Sequence, residues 1–428
     1  MPKSRIIIIG IIGIVVVFFA LIFLGIIPGL RISENPNADV ALEFWGVFDE
    51  PRVIEETIKL VPGFQVSYKE FNPATYEQEL IDALAAGRGP DILMIHNSWL
   101  PKHFDKLVPA SQEQISISSF RKLFPTIVEQ NFAPDGFIYA LPLYIDTLAL
   151  FYNKDIFDSN SITSPPKSWI EFENIIPRLR QLDASGKIVR AAAAIGGSNK
   201  NINRGTDILN NLMLQTGAPM VSNDFTKAEF ANDGINSLGF YTKFANPGSE
   251  FYTWNDSLIN SIDSFANESS AIIFNYSYQI PIIKEKNPFL NFAVAEIPQP
   301  ANASKKVAYP NYWGLAVSNS SINPQVAWSF VLSLAANNQA ASFYLSETGR
   351  PPALKDLISA NLDNPELGVF ANQALFARSW PQIDNNEIDK IFSKMIDEVI
   401  NGRSAIDKAL EEAEADVTDL MDRKKRNF

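Results

Sequence analysis

Residues 40–96 read VALEFWGVFDEPRVIEETIKLVPGFQVSYKEFNPATYEQELIDALAAGRGPDILMIH. Val40 to Trp45 is a short apolar run that predicts a strand. Asp49 or Glu50 can cap a helix whose apolar face is Val53, Ile54, Thr57, Ile58 and Val61, a helical spacing. Phe64 to Phe71 predicts a second strand, with Val66 and Tyr68 set between polar neighbours. Thr75 and Gln78 have the spacing of a capping box, and Gly87 closes the helix that follows. Asp91 to Ile95 predicts a third strand. The order β-α-β-α-β calls for a parallel sheet with helices on its faces. Ligands of such sheets bind beyond the carboxyl ends of the strands. Those ends carry Trp45, Asn72, and His96-Asn97 with Trp99 close behind. No G-x-G-x-x-G follows the first strand, and no G-x-x-x-x-G-K-[ST] occurs, so dinucleotide and P-loop readings lose support.

Beyond residue 130 the alternation continues with different material. Ile138 to Leu141, Leu148 to Tyr152, Ala271 to Phe274, Phe292 to Ile297 and Leu315 to Ser318 predict short strands. Ser168 and Glu171 form a capping box for a helix that contains Pro177, expected to kink it. Asn323-Pro324 opens a helix carrying Val326, Phe330, Val331 and Leu334. Ile388 to Ile400 follows the helical period, and Ser404 with Asp407 begins a last amphipathic helix. Trp169 and Trp328 lie within capped helices and are expected in the core; Trp254 reads as part of a polar loop.

The chain has 428 residues, 46% hydrophobic and 20% charged, which suits two or three globular domains. It has no cysteine, so disulfides, thiolate metal sites and lipid attachment through cysteine are excluded. The two histidines, His96 and His103, leave little for multi-histidine metal sites or histidine-based triads. A net charge of −12 opposes nucleic-acid binding. No metal spacing or G-x-S-x-G elbow is present, and no catalytic residue or cofactor is assigned. Ile6 to Leu30 carries no charged side chain and is long enough to cross a bilayer; Lys3 and Arg5 before it place the N-terminus in the cytoplasm. Residues 1–31 are thus expected to form a transmembrane anchor and 32–39 a tether, with the remainder outside.

Several blocks resemble the bacterial extracellular solute-binding proteins of the sugar-binding, maltodextrin-binding-like group. They are Tyr76 through Gly87 to Asp91, Asp135-Gly-Phe-Ile-Tyr-Ala-Leu-Pro142 with Tyr152-Asn-Lys-Asp155, Pro165-Pro-Lys-Ser-Trp169, Tyr312-Trp-Gly-Leu-Ala-Val317 and Thr348-Gly-Arg-Pro-Pro352. Arg378-Ser-Trp-Pro-Gln382 is similar too. Each block alone is weak; their order is specific. The resemblance implies an α/β, two-lobed periplasmic-binding-protein-like fold of type II, with discontinuous lobes, hinge crossings and a ligand cleft between the lobes. Residues 38–141 plus 314–350 are expected in lobe one, and 145–310 plus 351–428 in lobe two. It further implies a monomeric, non-enzymatic receptor that delivers a carbohydrate to ABC-transporter permease subunits. Many relatives are lipoproteins; lacking cysteine, this chain would use its N-terminal helix as anchor.

Sugars need flat apolar surfaces for their ring faces and fixed hydrogen-bonding groups for their hydroxyls. The expected ligand-binding residues are Trp45, Asn97 and Trp99 at strand ends, Tyr144 and Asp146 after the Leu-Pro crossing, Asn275, Tyr276 and Tyr278 after a second-lobe strand, and Tyr312 and Trp313 at a lobe crossing. His96 and Arg350 read as structural, Arg350 as an ion-pair partner, and Asp384 to Asn386 are marginal candidates. Three other readings stay open: a receptor for a polyol, glycerol phosphate or small peptide; a sensory ligand-binding module; and a secreted carbohydrate-active enzyme.

Overall fold

The computed structural model describes residues 40–425. The expected anchor and tether lie outside the described residues, among which no helix is long and apolar enough to cross a membrane. Strands β1 (Ala41–Val47), β2 (Gln65–Phe71), β3 (Ile92–His96) and β4 (Ala140–Pro142) lead to a first crossing, β5 (Asp146–Thr147). Then come β6 (Ala149–Asn153), the small hairpin β7 (Gln181–Leu182) and β8 (Ile188–Arg190), β9 (Ile272–Asn275) and β10 (Phe292–Ala295). A second crossing, β11 (Pro310–Asn311), returns the chain to β12 (Trp313–Val317).

The first lobe holds a sheet of order β2-β1-β3-β12-β4. β1, β2 and β3 are parallel, and β12 is inserted antiparallel between β3 and β4. β3 is central and covered on both faces, which is why Ile92-Leu-Met-Ile95 is an unbroken apolar run. β2 is an edge strand, and its exposure alternates. The second lobe holds an antiparallel sheet of order β10-β6-β9. Each lobe has its own buried core. Trp169 and Trp328 are buried in them. Trp254, read as part of a polar loop, is wholly buried instead, its indole N–H donating to Asn201 Oδ1 at 3.1 Å.

Local rules were obeyed unevenly, for visible reasons. The helix Pro51–Lys59 buries Val53, Ile54, Thr57 and Ile58 and has proline at its start, but no side chain caps it. Asp49 is drawn instead into a buried ion pair with Arg350. Thr75 does not cap the helix Tyr76–Ala85: its backbone is already helical (φ −114°, ψ −12°), and its hydroxyl donates to Glu79 Oε1 at 2.6 Å. Ser168 is extended and does cap, accepting from Glu171 N at 3.2 Å, while Glu171 reaches back to the Lys167 N–H at 2.8 Å. The helix Trp169–Leu179 runs through Pro177 and ends two residues later.

Three segments run between the lobes. β5 and β11 pair antiparallel, and the Ile145 N–H donates to Pro351 O at 3.2 Å. The division of the chain differs from the expected one after residue 350. Ala353, Leu354 and Ile358 are buried in the first core, with the helix Lys355–Ala360. The helix Gly368–Ala374 sits under the hinge, Phe370 in the second core and Ala371 and Ala374 in the first. Gln373 on that helix donates to Thr147 Oγ1 (3.0 Å) and Leu148 O (3.1 Å) and accepts from Ile297 N (2.8 Å).

Candidate functional site

The carboxyl ends of β1 and β3 and the start of β12 meet at one end of the first-lobe sheet. The β3–β12 ladder sets Trp313 opposite His96. From there a set of rings builds up. Trp313 lies edge-on to Trp99 (centroids 4.8 Å apart), His96 (5.4 Å) and Phe48 (5.6 Å), and Tyr76 stacks on Trp99 at 6.2 Å. Trp45 continues the set outward through Phe71 at 4.4 Å, with the Lys69 ammonium over its ring. The Tyr76 hydroxyl is tied to the β3 backbone, donating to Met94 O at 2.9 Å, so the wall is anchored from below. Burial pushes the His96 pKa down to about 4, so this imidazole is neutral near pH 7.

The facing wall comes from the second lobe and is polar. The helix Gly205–Thr216 begins after Arg204, whose backbone is left-handed (φ 68°). Arg204, Asp207 and Asn210 follow one another up the helix face that borders the cleft. Every one of them already has a partner. Arg204 Nε donates to Tyr278 Oη at 2.9 Å, and its guanidinium lies 5.5 Å from the Tyr276 ring. The Tyr276 hydroxyl donates to Asp207 Oδ2 at 2.8 Å. Asn210 Oδ1 accepts from Trp380 Nε1 at 2.7 Å. Asn275 Nδ2 donates to Asn203 Oδ1 at 2.9 Å. Asp389 accepts from Asn199 Nδ2 at 2.9 Å and from the Thr206 hydroxyl. Burial raises the Asp207 carboxyl to about 6 against the pull of Arg204.

Between the lobes lies a chamber of about 120 Å³, bordered by His96, Asn97, Arg204, Asp207, Tyr309 and Trp380 among others, with the tryptophans of the ring wall outside its lining. Direct contacts close it where the lobes meet. Trp99 Nε1 donates to Asn385 Oδ1 at 3.0 Å, and Lys102 Nζ bridges Glu77 (2.7 Å) on its own lobe and Asp384 (2.8 Å) on the other. Asn131 Nδ2 donates to Ser379 Oγ at 2.7 Å. Burial works against the Glu77 carboxylate, but His103 and Lys102 hold it below its ordinary value.

A third group forms a knot at the hinge. Arg350 pairs with Asp49 at 3.0 Å, donates to Tyr344 Oη at 2.7 Å and stacks 4.4 Å from the Tyr144 ring. Asp146 accepts from the Ser277 N–H (2.9 Å) and hydroxyl (2.7 Å), and burial raises its carboxyl to about 6.

The residues singled out from sequence therefore fall into four places. Trp99 and Trp313, with Trp45 at the rim, make the ring wall. Asn97 borders the chamber, with its side chain tied to Asn131 and to the Tyr312 backbone. Asn275, Tyr276 and Tyr278 hold the polar wall. Tyr144 and Asp146 belong to the hinge knot. Tyr312 is fully buried in the first-lobe core, its hydroxyl donating to Asn131 Oδ1 at 2.8 Å, and it presents no surface to the cleft. A tyrosine at the start of a strand buries its side chain on the face opposite its neighbour Trp313. Sequence reasoning passed over Arg204, Asp207, Asn210 and Asp389, and left Asn385 and Asn386 as marginal candidates. Arg204, Asp207 and Asn210 share an i, i+3, i+6 spacing, but Thr206, Asn211, Gln215 and Thr216 are polar too, so the spacing singles out no one face.

A family model described as bacterial extracellular solute-binding protein matches residues 55–367. A putative binding protein of Brucella abortus is 22% identical over 371 residues, 83% of this chain and 85% of its own length. The maltodextrin-binding protein of Bacillus subtilis is 24% identical over 323 residues, 70% of this chain and 72% of its own. The solved structure of a sugar-binding protein from Xanthomonas citri superposes with a TM-score of 0.76 at 21% identity, covering 91% of this chain and 99% of that one.

Proposed function

The chain belongs to the bacterial extracellular solute-binding proteins, and on that footing we propose that it captures a carbohydrate between its lobes and delivers it to an ATP-binding-cassette importer. One observation carries this reading: the chamber between the lobes is bordered both by rings, His96, Tyr309 and Trp380, and by hydrogen-bonding groups already held in place by partners. Ring faces suit the apolar faces of a pyranose. Polar groups held by one partner keep further hydrogen-bonding capacity for sugar hydroxyls and lose little freedom on binding. The charged groups bordering the chamber, Arg204 against Asp207 and Asp389, leave one negative charge in excess, which favours a neutral solute over a phosphate. Relatives named for maltodextrin, maltotriose and galactooligosaccharides support the carbohydrate class.

The mechanism is capture, not turnover. The β5–β11 ribbon and the segment at Pro351 form the hinge, and ligand bridging both walls favours the closed form by its differential affinity. Trp45, Asn97, Trp99, Tyr278 and Trp313 act at the cleft in this reading; Tyr144, Asp146, Asn275 and the wholly buried Tyr276 act through the residues they position, Tyr276 through Asp207. The run Ile6 to Leu30 tethers the receptor beside its permease and raises its effective concentration there. The test is the melting temperature of the full chain in a sugar-free detergent against mono- and oligosaccharides, polyols and peptides. A ligand at a hundredfold excess over its dissociation constant adds about 2.7 kcal/mol. A shift with one sugar class and no product formed is the expected result. A response to polyols or peptides alone, or turnover of the glycan, overturns it.

A further inference from the structure

Val40 enters β1 at the end of the first-lobe sheet opposite the cleft, since the cleft lies at the carboxyl ends of β1 and β3. Beside that entry is an open groove of about 400 Å³. Its lining is mostly apolar. Leu60, Val61 and Pro62 follow the helix Pro51–Lys59, and Leu332 and Ala336 stand at the end of the helix Pro324–Ala335, with Ser333 among them. Two contacts fix the groove near the entry. Ala41 is the ladder partner of Gln65, three residues beyond Pro62. Phe64 meets Phe330, two residues before Leu332, with ring centroids 5.5 Å apart. Val40, Leu60 and Leu332 all pack, half-buried, against the same first-lobe core. The helix Pro324–Ala335 is apolar almost all round: Ala327, Trp328, Phe330, Val331 and Leu334 are buried, and Leu332 adds a further apolar face at the groove. A helix of that kind is ordinarily covered on every side.

Neighbouring strands stand about 4.8 Å apart, and three residues span at most about 11 Å. The rim of the groove therefore lies within roughly 15 Å of Ala41. Residues 31–39, Arg-Ile-Ser-Glu-Asn-Pro-Asn-Ala-Asp, precede the described part of the chain. Nine residues can reach about 30 Å, enough to turn back over the groove. Ile32 is the one large apolar side chain among them. The groove exceeds twice the roughly 150 Å³ that takes a benzene, so it has room for that side chain. Lys59, exposed beside Leu60, is opposite in charge to Glu34 and Asp39 of the segment. We propose that the groove is the seat of the chain's own N-terminal segment, residues 31–39, with Ile32 filling it. Seating takes up the slack of the tether. Arg31 alone then separates the seat from the run Ile6 to Leu30, so the end of the first lobe away from the cleft is held at the membrane and the second lobe is left to move. That consequence rests on the anchor reading above; the seat itself does not.

The chain has no cysteine, so introduced pairs report without interference. A disulfide needs Cα atoms within about 7 Å. The experiment oxidises the full chain in detergent and reads non-reducing gels and peptide mass spectra. The double variant Ile32→Cys with Ser333→Cys is expected to form an intramolecular disulfide at least fivefold more completely than the control Ile32→Cys with Asn302→Cys, whose second site is an exposed loop of the other lobe. Adding Ala336→Trp, which fills the groove, is expected to cut that trapping at least fivefold while the melting temperature stays as it was. Trapping no greater than in the control overturns the proposal, and so does trapping that Ala336→Trp leaves untouched. Disulfide-linked dimers from Ser333→Cys alone would make a second copy the occupant. Protection of Ser333→Cys from a water-soluble maleimide only when phosphatidylglycerol–phosphatidylethanolamine vesicles are added would make it lipid. Either result overturns the seat. Trapping needs neither sugar nor bilayer, so its failure leaves the carbohydrate and anchor readings standing, and theirs leaves the seat standing.

Discussion

The ring wall of the first lobe and the polar wall of the second hold their shape in different ways. Trp99, Trp313 and Tyr76 are locked by one another and by the sheet beneath, so the surface offered to a ligand is the upper side of a core. Arg204, Asp207 and Tyr276 are locked by a chain of hydrogen bonds, each group holding the next in orientation. In the first lobe, affinity and stability draw on the same contacts. In the second they are more separable, because Arg204 and Asp207 stand outside the apolar core that buries the Tyr276 ring. The largest test of that difference is Trp313→Ala. Removing a packed indole costs about 3–5 kcal/mol of stability, and sugar binding should disappear with it. Denaturant unfolding and titration calorimetry report the two effects. A variant that loses binding at unchanged stability would show the ring wall to be a surface layer like its counterpart.

Tyr276→Phe probes the other wall. It deletes the donor to Asp207 and leaves packing almost intact. One buried acceptor deprived of a partner costs about 1–3 kcal/mol. The expected outcome is a clear loss of affinity, read by calorimetry, with a smaller fall in melting temperature than Trp313→Ala produces. If Tyr276→Phe unfolds the protein as readily, the polar wall is part of the core and the contrast fails.

The two walls were also unequally legible in the sequence. The ring wall follows from strand ends: once β1 and β3 were recognised, Trp45 and Trp99 had to lie at the cleft end of the sheet, and Trp313 stood at an expected crossing. The polar wall was half visible, because Tyr276 and Tyr278 follow a strand whereas Arg204 and Asp207 lie on a helix. Nothing local marks which face of that helix borders a cleft. The boundary after residue 350 was hidden for a related reason. The helix Gly368–Ala374 is apolar towards both lobes, so its sequence does not say to which it belongs. Thr75 had the spacing of a cap but not the extended backbone a cap requires.

The walls should answer differently to acid. Asp207 titrates near 6, above the ordinary 3.8, so the folded chain binds more protons there than the unfolded chain between those values. Its contribution to stability is therefore largest below about 3.8 and is lost as pH rises through 6. His96 runs the opposite way: held near 4 against an ordinary 6.5, it contributes above 6.5 and loses that contribution as pH falls towards 4. For ligand the sign on Asp207 matters more. At pH 5, one unit below its pKa, its carboxylate population is about tenfold lower, equivalent to about 1.4 kcal/mol. Sugar affinity should fall by about that factor between pH 7.5 and 5. Asp207→Asn should bind more weakly at pH 7.5 and show no such dependence. A wild-type affinity independent of pH would mean that the ligand rests on the ring wall alone.

The smallest effect concerns how the walls are brought together. Lys102 stands on the first lobe between Glu77 and Asp384, and Asp384 also caps the helix Asn385–Ile400 by accepting from Glu387 N. The lysine therefore ties the ring wall to the rigid start of a second-lobe helix, beside the Trp99–Asn385 hydrogen bond. The bridge is largely buried, its side chains 15% and 6% exposed, so desolvation offsets much of its attraction, and what remains acts on closure, since the two residues stand on different lobes. Affinity scales with the fraction of chains able to close. Lys102→Met should accordingly weaken sugar binding by up to about fivefold and enlarge the unliganded particle in small-angle scattering, while Glu77→Gln, which leaves the contact to Asp384 in place, should do less of both. Equal affinities in all three proteins would place the closing energy in the walls themselves, and the ring wall and the polar wall would then be the two halves of the latch.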